Sequence, residues 1–262
     1  MSKYGNAKDI FNLAGKNALI PGGSKGLGRE MAICLMENGC NVTIASRTAV
    51  IDDELAQISE KNNVKIFAKS CDATSSAAVD KLVGDTVADM GRIDILLNCA
   101  GVNVRKWLWD LDDASWDSVM KANLDSTFYL CRAVSRHMRA NNYGKIINMS
   151  SMKSVLGVSD DGYSPYCTSK GAVNMFTKQI ACELASSGIT VNAIAPTFIK
   201  TAINAAQLEN EEFRKSLEDR IPVGRIGQFR DLMGCVLLLA SDASQFITGQ
   251  VFLLDGGISA RQ

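Results

Sequence analysis

The sequence predicts an α/β fold: a Rossmann-like, doubly wound parallel sheet of about seven strands with helices on both faces, in a single domain. Three observations predict it. Short β-branched runs alternate with longer helical patterns along the whole chain. The inner runs are nearly unbroken in apolar residues, as in Ile93, Ile95, Leu96 and Leu97, which is how strands covered on both faces read. A glycine-rich turn joins the first strand to the first long helix.

Taken in order, the predicted strands are Asn17–Ile20, Asn41–Ser46, Val64–Ser70, Ile93–Asn98, Lys145–Ser150, Thr190–Ile194 and Val251–Leu254. Between them, helical periodicity marks Leu27–Asn38, Asp52–Lys61, Ser75–Met90, Ser115–Ala140, Pro165–Ser186 and Arg230–Ser241. One stretch breaks the rhythm. Residues 200–228 are polar, charged and helix-prone, and follow a strand; long insertions of this kind often act as lids, and a substrate lid is expected here.

Composition sets the outer limits. The 262 residues suit one domain of this class, and 47% hydrophobic with 21% charged residues is the balance of a globular chain, not a disordered one. Lys+Arg and Asp+Glu are both 28. A neutral chain has no electrostatic footprint for nucleic acid or anionic membrane, so neither is expected as a partner. The eight cysteines form no Cys-x-x-Cys and lie mostly in apolar runs; they are expected reduced, as small packing residues. His137 is the one histidine, and no ligand spacing accompanies it, so no metal is expected. The first sixteen residues lack an apolar leader core and no stretch nears ~18 apolar residues, so a cytoplasmic location is expected.

The turn after the first strand reads Pro21-Gly22-Gly23-Ser24-Lys25-Gly26-Leu27-Gly28. Gly22, Gly26 and Gly28 form GxxxGxG between a strand and a helix. Such glycines allow a sharp turn and let a pyrophosphate approach the helix N-terminus, so residues 1–262 are read as one dinucleotide-binding catalytic domain. Enzymes of this fold that bind a free ribose 2′-hydroxyl carry an acid after the second strand. Here Ser46-Arg47 stands there, and Lys25 lies in the loop. Two cations suit a 2′-phosphate, which points to NADP.

Tyr166 and Lys170 are spaced i, i+4 and share a helix face, with Ser164-Pro165 read as an N-cap and a first-turn proline. An ammonium beside a phenol favours phenolate, so the Tyr166 pKa is expected to be lowered. Ser151 follows the fifth strand, at the carboxyl edge where such sheets bind ligands. Asn123 falls mid-helix, where asparagine is unfavourable and a polar role plausible. A serine hydrolase is excluded, since no G-x-S-x-G elbow exists.

These motifs together resemble the short-chain dehydrogenase/reductase family over residues 11–259, while Met149–Gly157, Tyr166 to Val173 and Arg105 most resemble its gluconate 5-dehydrogenase-like branch. The matching positions are the GxxxGxG loop, Asp72, Asn98-Cys99-Ala100-Gly101, Asn123, Ser151, Tyr166 to Lys170, Pro196 with Ile199 and Thr201, and Leu254-Asp255-Gly256-Gly257. The resemblance implies an NADP(H)-dependent oxidoreductase that interconverts a secondary alcohol and a ketone by hydride transfer. It implies Tyr166 as acid/base, Lys170 on the nicotinamide ribose, Ser151 on the substrate oxygen, and Asn123 supporting a relay water. It places the cofactor among Gly22, Ser24, Lys25, Gly26, Leu27, Gly28, Ser46, Arg47, Asp72, Ala73, Asn98, Ala100, Gly101, Tyr166, Lys170, Pro196, Ile199 and Thr201. It also implies a homotetramer with the two long central helices between subunits.

All four reactive groups are present, which sets the chain apart from nucleotide-sensing proteins on the same fold. The departures are Pro21 for the usual Thr, Cys99 for Asn, Thr197 for Gly, and fifteen residues from Ser151 to Tyr166 where thirteen is usual. The last is read as a two-residue insertion within Val158–Tyr163; Ser150 is the alternative catalytic serine. For the substrate, Arg105, four residues after Gly101, suits a carboxylate, with Trp107 and Trp109 offering ring faces to a polyol. With Ser151 and Tyr166, Arg105 completes the expected substrate set. Cyclic ketones, steroids and 3-oxoacyl thioesters are turned over on the same skeleton and remain alternatives.

Overall fold

A computed structural model describes residues 6–260 apart from 158, 160 and 203. A single turn, α1 (Ala7–Ile10), precedes the repeating pattern of β1 (Asn17–Pro21), α2 (Gly26–Glu37), β2 (Asn41–Ser46), α3 (Asp53–Lys61), β3 (Ile66–Ser70), α4 (Ser76–Met90) and β4 (Ile95–Asn98). The second half runs α5 (Asp113–Met120), a wider π-type turn at Lys121–Asp125, α6 (Ser126–Ala140), β5 (Gly144–Met149), α7 (Ser164–Leu184) and β6 (Ile189–Pro196). It closes with α8 (Ala205–Leu208), α9 (Glu211–Glu218), α10 (Arg230–Ala240) and β7 (Val251–Leu254).

All seven strands are parallel, in the order β3-β2-β1-β4-β5-β6-β7. The order reverses between β1 and β4, and the crevice outside the strand ends at such a reversal is where ligands of this architecture bind.

The strand period of two divides each strand between two cores. Ala18 and Ile20 of β1, Ile95 and Leu97 of β4, and Ile147 and Met149 of β5 face one layer, with Met31 and Leu35 of α2, Leu55 of α3 and Val236 of α10. Leu19, Leu96 and Ile146 alternate onto the other, with Val79 of α4, Leu130 and Val134 of α6 and Ile180 of α7. Buried asparagines at neighbouring register positions add a polar tie on this second face. Asn98 donates to Thr127 Oγ1 of α6 at 3.0 Å and Asn148 to Thr177 Oγ1 of α7 at 3.0 Å.

Two local expectations are corrected. The predicted helix Ser115–Ala140 starts two residues earlier and is interrupted by the π-type turn around Asn123. Helix α7 begins at Ser164 itself, so its N-cap is Tyr163 and no side chain caps it. Proline still fits the first turn, where an N–H would have no helical partner anyway. The eight cysteines are unpaired, with Cys34, Cys40, Cys71 and Cys131 buried and Cys182 exposed. Among the described residues no helix is long and apolar enough to cross a membrane.

Ile147 lies in the middle of the sheet with no exposed surface. Ile147→Ala is expected to destabilise the chain by about 2–5 kcal/mol through lost transfer energy and a residual cavity. Urea unfolding checks this as a lower midpoint with an unchanged slope.

Candidate active site

Every predicted cofactor position lies at the carboxyl edge of the sheet. The loop after β1 is stitched to its neighbours by backbone bonds: Gly22 N donates to Ala45 O at 2.7 Å and Cys99 N to Pro21 O at 2.9 Å. Gly22 has φ +80°, and a Cβ there would sit 2.7 Å from the Cys99 carbonyl. A Cβ at Gly28 would come within 2.3 Å of Gly22 O. These glycines are therefore required by close approach of backbone to backbone. Pro21 leaves the loop without the usual threonine hydroxyl, and a different tie is present: Ser24 Oγ donates to Ser46 Oγ at 2.7 Å. Lys25 occupies the N-cap of α2 without capping it through its side chain, and the first turn holds no acid. The leading N–H groups and helix dipole thus suit an anion.

Around this cradle, Leu27 packs from the first turn of α2 onto the core. Arg47 and Lys25 are exposed, at the ends of β2 and of the glycine loop. Asp72 accepts from Thr74 N at 3.0 Å and Thr74 Oγ1 at 2.8 Å, bonds that hold its carboxyl below the usual range, with Arg47 also contributing. Ala73 follows it. Ala100 and Gly101 continue the strand end formed by Asn98. Pro196 ends β6, Ile199 is buried and bridged to Gly227, and Thr201 N donates to Asn204 Oδ1 at 2.8 Å. A glycine-lined approach, an uncapped helix N-terminus and a polar rim fit a dinucleotide.

The reactive end is built on α7. Tyr166 and Lys170 are one turn apart, and the Lys170 ammonium is 5.8 Å from the Tyr166 ring centroid. Lys170 is buried and donates to Met149 O at 2.7 Å. Burial pushes its pKa down to about 8. The expected lowering of the Tyr166 pKa does not hold in the cofactor-free chain. Burial raises the phenol, a hydrogen bond with Ser151 opposes this, and Lys170 does not enter. Lys170 is turned to a carbonyl, and desolvation weakens its own charge. Both serines are buried, but Ser151 lines the same cavity as Tyr166, whereas Ser150 does not and its hydroxyl donates to Lys170 O at 3.4 Å. The geometry therefore favours Ser151 over Ser150.

Asn123 has no exposed surface. Its Oδ1 accepts from Val102 N at 2.7 Å, and its Nδ2 donates to Val102 O at 3.0 Å and to Ser169 Oγ at 2.9 Å. Both amide protons are thus committed to anchoring, and the side chain has none left to offer a water.

Beside Ser151 and Tyr166 opens a cavity of ≈ 630 Å³. Arg105 lines it, 3.2 Å from Asp161 and 5.1 Å from the centroid of the Tyr163 ring. Residues 200–228 contribute Phe213, Leu217 and Arg220, from α9 and the residues after it. Trp107 and Trp109 depart from expectation. They stack on each other 5.2 Å apart, are 42% and 76% exposed, and line neither this cavity nor the core. Sequence reasoning did not single out Lys153, Asp161, Tyr163 or Arg220 as cavity residues. The only signal for them was position: next to Ser151, in the lengthened segment, or in the inserted helices. Val158 and Asp160 of that segment, and Ile203 of the lid, lie outside the described residues.

A parallel sheet with an anion-accepting glycine turn and a Ser, Tyr, Lys group at its carboxyl edge defines a nicotinamide-dependent oxidoreductase. The comparisons agree. A family model described as Enoyl-(Acyl carrier protein) reductase matches residues 22–259. The gluconate 5-dehydrogenase of Gluconobacter oxydans is 37% identical over 251 residues, covering 96% of this chain and 97% of that protein. The 2-dehydro-3-deoxy-D-gluconate 5-dehydrogenase of Dickeya dadantii is 39% identical over 258 residues, covering 97% and 99%. Among solved structures, a gluconate 5-dehydrogenase from Burkholderia cenocepacia in complex with NADP and tartrate superposes with a TM-score of 0.89 at 36% identity, covering 98% of this chain and 100% of that one. The chain belongs to the short-chain dehydrogenase/reductase family, and it is an oxidoreductase with a nicotinamide cofactor and a small-molecule substrate.

The raised phenol has a direct readout. Below its pKa Tyr166 stays protonated, so its phenolate should form at a higher pH than that of an ordinary exposed tyrosine. The difference in absorbance near 295 nm between wild type and Tyr166→Phe is expected to titrate above a free tyrosine measured alongside; half-titration below the free tyrosine contradicts the assigned environment.

Proposed function

We propose that the protein is an NADP(H)-dependent reductase and dehydrogenase of sugar acids, interconverting a keto group and a secondary alcohol. The observation that carries the reading is one cavity in which Ser151 and Tyr166 stand beside the Arg105 guanidinium. The first two are the groups that handle a carbonyl oxygen, and the third recognises a carboxylate. The relatives named above act, by their names, on gluconate and a deoxygluconate, and the superposed structure holds NADP and a dicarboxylate, tartrate.

When bound, the nicotinamide supplies or takes up the hydride. In reduction, Ser151 donates a hydrogen bond to the substrate oxygen as charge develops, and Tyr166 delivers the proton from its phenol. A phenol held above its ordinary pKa is fully protonated at neutral pH and ready for this step. Lys170 holds the nicotinamide ribose, with its ammonium steered by Met149 O. Asn123 keeps the strand-end loop and α7 in register. The glycine loop and the α2 N-terminus hold the pyrophosphate. Asp72 and Ala73 flank adenine, and Pro196, Ile199 and Thr201 meet the nicotinamide end. Residues 200–228 cover the substrate as a lid, since Phe213, Leu217 and Arg220 already wall the cavity. Exposed Phe128 and Met175 on α6 and α7 suit a homotetramer with these helices between subunits, in a cytoplasmic protein.

The preference for NADP(H) rests on Arg47 and Lys25 and on the lack of an acid at Ser46. Arg47→Ala is expected to weaken NADP(H) by about 1.5–3 kcal/mol, the range for a hydrogen bond to a charged group, and to leave NAD(H) nearly unaffected. Ser46→Asp should invert the preference. Measured kcat/KM for both cofactors decides it; a wild type that works better with NAD(H) overturns the assignment.

The substrate reading is tested on 5-keto-D-gluconate and a neutral ketose of the same chain length. Arg105→Ala is expected to raise KM for the acid by about 1.5–3 kcal/mol in binding, and for the ketose far less. Equal losses would assign Arg105 to packing. Tyr166→Phe should lower turnover on both by roughly 100-fold or more.

A further inference from the structure

The Arg105 guanidinium already has an anionic partner within the cavity. Asp161 lies in the segment before α7, lines the same cavity, and places Oδ2 3.2 Å from Arg105 Nη1. Among the described residues that line the cavity it is the one acid, beside three cations of the same lining, Arg105, Lys153 and Arg220. Its side chain is 32% exposed and that of Arg105 52%, so water reaches both and the pair can open. A guanidinium carries five N–H donors, more than one carboxylate can take up, so donors remain for a second acceptor. Asp161 is fixed from its own side: Gly162 N donates to Asp161 Oδ1 at 2.8 Å. The Gly162 carbonyl in turn accepts from Lys106 N at 3.1 Å, and a Cβ at Gly162 would come within 2.0 Å of Lys106 O. The loop bearing Asp161 is therefore pressed against the loop bearing Arg105, and the two side chains meet because their backbones do.

We infer that Asp161 is a specificity-determining residue: a built-in carboxylate that competes with the substrate's acid group for Arg105 and so sets how strongly the enzyme prefers acids over neutral sugars. A substrate carboxylate that reaches Arg105 enters the field of a fixed like charge a few ångströms away, which disfavours it in water-accessible surroundings and does so less as salt rises. A neutral polyol meets no such opposition. The inference rests on Arg105 as the carboxylate site.

The test uses Asp161→Asn, which removes the charge and keeps an oxygen that can accept from Arg105, beside Arg105→Ala and wild type. The readout is the ratio of KM for 5-keto-D-gluconate to KM for a neutral ketose, at low and high ionic strength. Asp161→Asn is expected to lower that ratio about 3–10-fold at low salt, with the difference from wild type shrinking at high salt. A ratio unchanged or raised by Asp161→Asn, in a protein where Arg105→Ala raises it, overturns the role of Asp161 and leaves the Arg105 site standing. A ratio unaffected by Arg105→Ala removes the carboxylate site itself. Circular dichroism and the neutral-ketose turnover report whether the variants are folded.

Discussion

The side-chain amide of Asn123 joins the pieces from which the reactive end of the site is made. One group binds both backbone atoms of Val102, just beyond the end of β4, and the hydroxyl of Ser169 on α7. Ser169 in turn donates to Tyr166 O at 2.8 Å, and it is followed directly by Lys170. The position of the reactive helix relative to the sheet edge thus depends on a buried amide that is nearly satisfied in full. Such a group is costly to disturb, because loss of one partner strands the others away from water. The π-type turn at Lys121–Asp125 carries this side chain. Extra residues in a helical turn are common where a side chain must be aimed at a function.

With this frame fixed, electrostatics at the site follow from burial. Lys170 is driven toward neutrality by desolvation and steadied by Met149 O, while Tyr166 is driven toward its protonated form by the same exclusion of water. The cofactor-free chain therefore stores a proton on the phenol.

Much of the fold was legible in the sequence because strand and helix periods are local. All seven strands were found within two residues, since β-branched runs such as Asn41–Ser46 allow no other period. The cradle was legible because glycine at Gly22 and Gly28 answers a steric demand visible as spacing. What failed depended on three-dimensional neighbours. The phenol shift at Tyr166 was misjudged because i, i+4 spacing predicts proximity to Lys170 but not burial of both. Trp107 and Trp109 are expected near a polyol because they follow Arg105 in sequence, yet they pair with each other at the surface. Asp161 carried no motif at all, because its meaning arises from two loops that approach each other across 55 residues of chain.

The division between rigid and variable parts explains how one skeleton serves many substrates. The dinucleotide-facing positions sit on strand ends and helix starts, which the parallel register holds in place. The residues that line the cavity beside Tyr166 sit mainly on connecting segments: the stretch around Arg105, the segment from Ser151 to Tyr163, and helix α9 with the residues after it. A loop can change length or charge without shifting a strand. Under the proposed function, substrate choice is thereby separated from hydride chemistry: Ser151 and Tyr166 would act on the carbonyl, and the charges of Arg105, Lys153, Arg220 and Asp161 around the cavity would select the molecule that carries it.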